Sequence, residues 1–263
     1  MKMLAIISSH RKKGNTAGVI SLLKKSIKNL ANINNDTVDF ETLFLKDYQI
    51  ADCIGCRSCY HQGLRACPHQ DDALLLKEKF KKSDVIIFAG PVYINSLNGT
   101  MKIFIDRFVH LCHHLEAYQQ YAHIIITTNK SGISNTIKNL SDAVVAWGMY
   151  LTGSKGFALE DSTESEIDQL YHKEITKEAV KIFWDIKKQQ NLKPKLAQLI
   201  VFKIHQYYKG NNKFKDLRPE EYQYFKEMGW ANHKVNYYYP HQTNPIKILL
   251  ARIVARIIIL IMK

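Results

Sequence analysis

Residues 3–16, Met-Leu-Ala-Ile-Ile-Ser-Ser-His-Arg-Lys-Lys-Gly-Asn-Thr, decide how the chain reads. An apolar run of the kind that forms a buried strand ends in hydroxyl side chains, crosses a basic turn and restarts as a helix near Thr16. Ser8, Ser9 and Thr16 offer hydroxyl donors, and Gly14 lets backbone N–H groups approach an anion with no Cβ in the way. The helix that follows points its positive dipole end at the same place, so the stretch reads as an anion cradle. It is not a Walker A loop, because no Gly-Lys-Ser/Thr follows, and it lacks the three glycines of a dinucleotide fingerprint. A surface turn with incidental basic residues is the alternative, and the rest of the chain has to decide.

Outward from this turn, Val19, Leu22, Leu23, Ile27 and Leu30 lie at helical spacing, and residues 37–45 alternate as a second strand. A loop over 46–70 precedes a helix over 71–82, acidic at its start and basic at its end. Residues 84–90, DVIIFAG, form a continuous apolar run, as a central parallel strand covered on both faces requires. Helices over 99–115, 133–149 and 164–189 then alternate with strands over 123–128 and 151–159. This order predicts a doubly wound α/β domain over 1–189 with a parallel five-stranded sheet. Ligands in such sheets bind at the carboxyl ends of the strands, which singles out the loops 9–16, 91–99 and 127–132.

These loops carry a resemblance. Ser9-x-Arg11-x-x-Gly14-Asn15-Thr16 resembles the FMN-phosphate loop of the NADPH-dependent FMN reductase family, flavodoxin-like proteins. Pro91-Val92-Tyr93, then Asn98-Gly99-Thr100, then Lys102-Ile103-Phe104-Ile105-Asp106-Arg107 resemble that family's later motifs in the same order, and the likeness extends over roughly residues 1–185. It implies FMN as cofactor, NAD(P)H as co-substrate, a small-molecule electron acceptor such as a quinone, flavin, nitro or metal species, and a homo-oligomer. Ser9, Arg11, Gly14, Asn15 and Thr16 are expected at the phosphate, and Pro91, Val92, Tyr93 and Asn95 at the isoalloxazine. Thr127, Thr128, Asn129 and Gly132 are expected at the ribityl chain or ring edge. No side chain is needed as a covalent nucleophile, so no catalytic residue is assigned. Lys102, Asp106 and Arg107 read as helix-surface charges, the first two as an i,i+4 pair.

Four of the five cysteines, Cys53, Cys56, Cys59 and Cys67, lie within fifteen positions, with Cys112 apart. Such clustering favours metal or redox chemistry over a disulfide framework. The spacing resembles the compact motif of iron–sulfur flavoproteins, which implies a 4Fe-4S cluster. A structural zinc site and a metal-free thiol loop are the other readings. His110, His113 and His114, around Cys112, read as ordinary helix residues.

The net charge of +13 is uneven: residues 190–263 hold 13 Lys+Arg against 4 Asp+Glu. This extension is basic and aromatic, but no nucleic-acid-binding motif is present, so no nucleic acid is expected. Its last stretch, 245–263, is apolar except at Lys247, Arg252, Arg256 and Lys263, and starts with a proline suited to a first helical turn. Arginines mid-span cost about 2.5–3.5 kcal/mol each in a bilayer core, so an amphipathic helix lying in the membrane interface fits better than a crossing one. A helix packed on the body or on a partner subunit is the other reading. No secretory signal is visible, and the expected location is cytoplasmic, with peripheral contact on the inner face of the membrane. Two functions of other classes stay open: an electron-transfer protein using FMN and a cluster, and a membrane-tethered binding module without redox chemistry.

Overall fold

The computed structural model describes residues 1–187 and 193–262. Its first part alternates β1 (Lys2–Ile7), α1 (Asn15–Ile33), β2 (Asp39–Phe44), α2 (Ser58–Gln62), α3 (Ala73–Lys81), β3 (Val85–Tyr93), β4 (Ser96–Leu97), α4 (Gly99–Arg107), α5 (Leu111–His114), β5 (Tyr121–Thr128), α6 (Ile133–Ala146), β6 (Tyr150–Ala158) and α7 (Glu164–Lys187). Five strands run parallel in the order β2-β1-β3-β5-β6, the doubly wound flavodoxin-like arrangement. The two-residue β4 is a sixth, antiparallel strand that the sequence reading did not anticipate. It folds back on β3 because Ile94 and Asn95 both adopt positive φ, 44° and 61°, as a tight two-residue hairpin requires.

β1, β3 and β5 are buried on both faces, which explains their unbroken apolar runs. On one face Val19, Leu23 and Ile27 of α1 meet Ile175, Ala179 and Ile182 of α7. On the other, Phe80, Phe88, Phe104, Phe108 and Trp147 form an aromatic cluster beneath α3, α4 and α6. The expected helix 99–115 is broken after Arg107. There Leu111 N–H bonds to Phe108 O and Cys112 N–H to Val109 O, so i→i+3 bonds tighten the chain before α5.

The expected domain boundary at 189/190 lies outside the described residues. Beyond it, α8 (Leu196–Lys209), α9 (Pro219–Glu227) and α10 (Pro245–Ile261) make the extension helical. Phe202, Phe225, Trp230, Tyr237 and Tyr238 form its core, which closes on Leu115 of the first part. Gln198 Nε2 donates to Met149 O at 3.3 Å, Trp230 packs edge-on to Tyr118, and Tyr239 packs on Tyr150. The extension therefore sits by the amino-terminal ends of β5 and β6, away from the loops at the strands' carboxyl ends. Among the described residues no helix is long and apolar enough to cross a membrane.

Candidate functional site

The loops after β1, β3 and β5 meet in one open cleft of about 290 Å³ lined by Ser9, Arg11, Asn15, Thr16, Pro91, Val92, Tyr93, Thr127, Thr128 and Asn129. Asn95 and Gly132 line an adjoining depression with Lys130 and Ser131, and Gly14 precedes α1 as its N-cap. Thus sequence-predicted residues far apart in the chain share one mouth. Thr16 Oγ1 and Thr127 Oγ1 lie 2.7 Å apart and fasten the β1 loop to the β5 strand end. Among the described residues no carboxylate lines the cleft itself; the nearest to Arg11 is that of Asp161, paired with it.

The floor of the mouth is the start of α1. No side chain caps this helix, its first turn contains no acidic residue, and the helix itself cannot satisfy the N–H groups of Asn15, Thr16 and Ala17. A Cβ on Gly14 would come within 3.0 Å of Arg11 Cβ and 3.2 Å of Arg11 Nε, so glycine lets the Arg11 stem fold over the turn. Ser9 Oγ accepts from Arg11 N–H at 3.3 Å. Arg11 itself pairs with Asp161 at 2.8 Å across solvent, with both side chains largely exposed. Such a pair is worth about 0–1 kcal/mol and leaves the guanidinium free to turn toward an anion.

The side chain of Asn15 does something the sequence did not suggest. Its Nδ2 donates to Leu159 O at 3.2 Å and Glu160 O at 2.7 Å, while its Oδ1 accepts from Ser162 N–H at 3.2 Å. It clamps the loop between β6 and α7 to the cradle, so what it offers an anion is its backbone N–H. Two residues outside the expected set also shape the mouth. Asn98 is buried and donates from Nδ2 to Ser8 O at 2.8 Å, and Gly90 leaves room that a Cβ would take from Ser8 Oγ. The Asn-Gly-Thr triplet pointed to Asn98, whereas nothing local marked Gly90.

Backbone strain gathers at the same place. Ile94 is β-branched, holds φ 44° and is 99% exposed, a conformation that costs such a residue energy and gains it no contact. Gly132 holds φ 88° directly behind it, where a Cβ would lie 2.6 Å from Val92 Cγ1 and 3.0 Å from Asn95 Cα.

Cys53, Cys56, Cys59 and Cys67 line one small cavity of about 30 Å³ with Tyr60, Leu64 and Arg107. Burial pushes the Cys59 thiol up, and the neighbouring sulfurs of Cys53, Cys67 and Cys56 push it further, so the four are in mutual electrostatic range. The Cys56 thiol is held down by the hydroxyl and N–H of Ser58. None of the four is in a disulfide. Among the described residues no three Cys, His, Asp or Glu side chains converge as ligands of a single metal ion would. A lone zinc needs its sulfurs about 2.3 Å from one point, and the described thiols do not meet that condition.

Arg107 is a correction. It was expected on the helix surface, but it is 3% exposed and holds the cysteine loop in place. It forms a two-pronged ion pair with Asp71, donates from Nη1 to Ala51 O at 2.9 Å and from Nη2 to Cys67 Sγ at 3.5 Å. Asp71 also accepts from Ala51 N–H and Ala73 N–H. Burial alone would push its carboxyl up, but these donors outweigh it and hold it below the usual carboxylate range. Lys102 and Asp106 do form the expected i,i+4 pair. His110, read as an ordinary helix residue, is fully buried at the start of α5, and burial pushes it down to about 3.

The family model of NADPH-dependent FMN reductase matches residues 1–164. The chain belongs to that family. Its parallel sheet order, β2-β1-β3-β5-β6, is the flavodoxin-like one. Curated relatives include an iron–sulfur flavoprotein of Clostridioides difficile, 28% identical over 77% of this chain and 86% of the relative. Another, from Archaeoglobus fulgidus, is 29% identical over 58% of this chain and 66% of the relative, so the chain spans just under two thirds of that protein. Among solved structures, the fold is similar to that of an FMN-dependent NADH-azoreductase from Bacillus anthracis in complex with FMN, at TM-score 0.50 and 15% identity over 70% of this chain and all of that one. It is similar also to RosB, at TM-score 0.51 and 12% identity over 70% of this chain and 75% of that one.

Proposed function

We propose that the cleft binds FMN and that the chain is an NAD(P)H oxidoreductase delivering electrons to a small acceptor, a quinone, flavin, nitro or metal species. The observation that carries this reading is the convergence of three strand-end loops over the uncapped start of α1. The free N–H groups of the first turn, the hydroxyls of Ser9 and Thr16 and the mobile charge of Arg11 fit a terminal phosphate. The backbone of Pro91, Val92, Tyr93 and Asn95 offers the ring a strained, exposed edge, and Thr127, Thr128 and Asn129 offer polar contacts opposite it. Bound FMN would take two electrons from a nicotinamide and release them to the acceptor. In this reading the residues of the chain bind and orient the cofactor, which carries the redox chemistry.

The four cysteines fit a 4Fe-4S cluster in the loop, held by Cys53, Cys56, Cys59 and Cys67, which would supply one-electron transfer. The iron–sulfur names of the relatives support the same reading.

Two measurements test these statements. Apo-protein is titrated with FMN and with riboflavin, which lacks the phosphate; FMN should bind at least about a hundredfold more tightly if the cradle contributes two to three charge-assisted bonds. Equal affinity would remove the phosphate from the site. Anaerobic addition of NADPH or NADH should then bleach the flavin band; a flavin reduced by neither points instead to an electron-transfer protein. Iron and sulfide analysis after anaerobic reconstitution tests the cysteine loop, and absence of both would leave it a thiol loop.

A further inference from the structure

α10 is attached along one side only. Ala251, Ala255 and Ile259 are buried toward α8, Arg252 donates to Asn236 Oδ1 at 2.7 Å, and Lys247 donates to Pro194 O at 3.3 Å. The opposite side carries Leu249, Leu250, Ile253, Ile257, Leu260 and Ile261, each between 46% and 79% exposed. Water therefore meets a strip of branched aliphatic side chains about three and a half turns long, with no polar side chain within it. Contiguous apolar surface on this scale marks a surface for a protein or a membrane.

Charge decides between these. Residues 228–263 contain five Lys or Arg and no Asp or Glu. Arg252 and Arg256 are both exposed and flank the strip one turn apart. With Lys203 and His233 they line an open cavity of about 500 Å³ between α8 and α10, whose apolar lining includes Tyr207, Ala255, Ile259 and Leu260 and which, among the described residues, has no carboxylate. A second copy of this chain seated on the strip would bring arginine against arginine in a molecule already at +13. A surface combining hydrocarbon with negative charge answers both features at once.

We propose that α10 docks the protein on an anionic lipid bilayer. The Leu/Ile strip enters the headgroup–acyl boundary, Arg252 and Arg256 meet lipid phosphates, and the cavity beside them receives one headgroup. Because the extension lies by the amino-terminal ends of β5 and β6, the docked molecule keeps the cleft at the opposite strand ends open to the aqueous side. The proposal does not depend on what the cleft binds.

The full chain is sedimented with vesicles of phosphatidylcholine alone and with vesicles of equal parts phosphatidylcholine and phosphatidylglycerol. It should pellet with the mixed vesicles, weakly or not at all with the neutral ones, and less as salt is raised. Arg252→Gln with Arg256→Gln should weaken binding roughly thirtyfold, from the known contribution of each basic residue at an anionic surface. Ile253→Asp with Ile257→Asp should abolish it; all four positions are exposed, and Arg256→Gln alone, which leaves the Arg252–Asn236 bond intact, should weaken binding about fivefold with the circular dichroism of wild type. The proposal is overturned by failure to pellet with mixed vesicles, by equal binding to neutral ones, or by a lipid-free dimer that the Ile253→Asp, Ile257→Asp variant dissolves.

Discussion

Arg107→Ala tests the least expected feature of the cysteine loop. The guanidinium is 2% exposed and the Asp71 carboxylate 10%, so the variant leaves a buried anion without its counter-charge. Breaking a buried pair from one side costs about 3–5 kcal/mol; because Asp71 keeps two backbone N–H donors, from Ala51 and Ala73, about 3 kcal/mol is expected here. For a chain of this size that lowers Tm by about 6–12 °C. The hydrogen bond to Ala51 O and the contact with Cys67 Sγ go with it, so the loss should concentrate in the loop and speed amide exchange at Ala51 and Ala73. The pH dependence has a definite sign. The folded carboxyl of Asp71 is depressed, so its stabilisation is full above the unfolded value of about 3.9 and fades as pH falls through the lower folded value. The gap between wild type and variant should thus be widest near neutrality and narrow below about pH 4. Denaturant unfolding at several pH values, with Asp71→Asn completing a double-mutant cycle, measures this. A deficit below about 1 kcal/mol at neutral pH, or one that does not change with acidification, would refute the buried-pair account.

Further outcomes follow from single positions. Ile94→Asn should raise stability by about 1 kcal/mol, because asparagine tolerates positive φ and the isoleucine is exposed; a loss would show that its side chain has a contact. Gly132→Ala should cost about 2 kcal/mol or more and weaken FMN binding, since its Cβ would press on Val92 and Asn95; unchanged binding would place the β5–α6 loop outside the site. His110 is fully buried, and its depressed value means the unfolded chain takes up a proton below pH 6.5 that the folded one refuses until about 3. Stability therefore falls through that window, and His110→Leu should flatten the acid slope by about 1.4 kcal/mol per pH unit, read from unfolding curves between pH 6 and 4.

What the sequence disclosed follows the range of the interactions involved. Strand 84–90 and the helix after Thr16 are written in local periodicity, and both stand in the structure as β3 and α1. Arg107 was misread because its partner Asp71 is 36 positions away, and a charged residue beside Asp106 on an amphipathic helix gives no local sign of burial. For the same reason the role of Asn15 escaped: its acceptors, Leu159 and Glu160, lie at the other end of the domain. The aromatic extension showed composition but no period, since Phe202, Trp230 and Tyr238 meet as a core only once α8 and the irregular segment after α9 are folded together.

These long-range contacts give α4 its mechanical meaning. Its first turn is tied to the cradle, with Thr100 Oγ1 2.9 Å from His10 Nε2 and Asn98 holding Ser8 O, while its last residue holds Cys67 and Ala51. Nine residues of helix set about 13 Å between the two anchors and allow little bending. A disturbance at either end must therefore act on the other through a rigid strut, or break an anchor. Loosening the cysteine end by Arg107→Ala while FMN affinity stays unchanged would show that the His10 and Ser8 anchors hold the cradle alone. A parallel loss of FMN affinity, restored in part by Arg107→Lys, would show that the two sites are positioned as one unit.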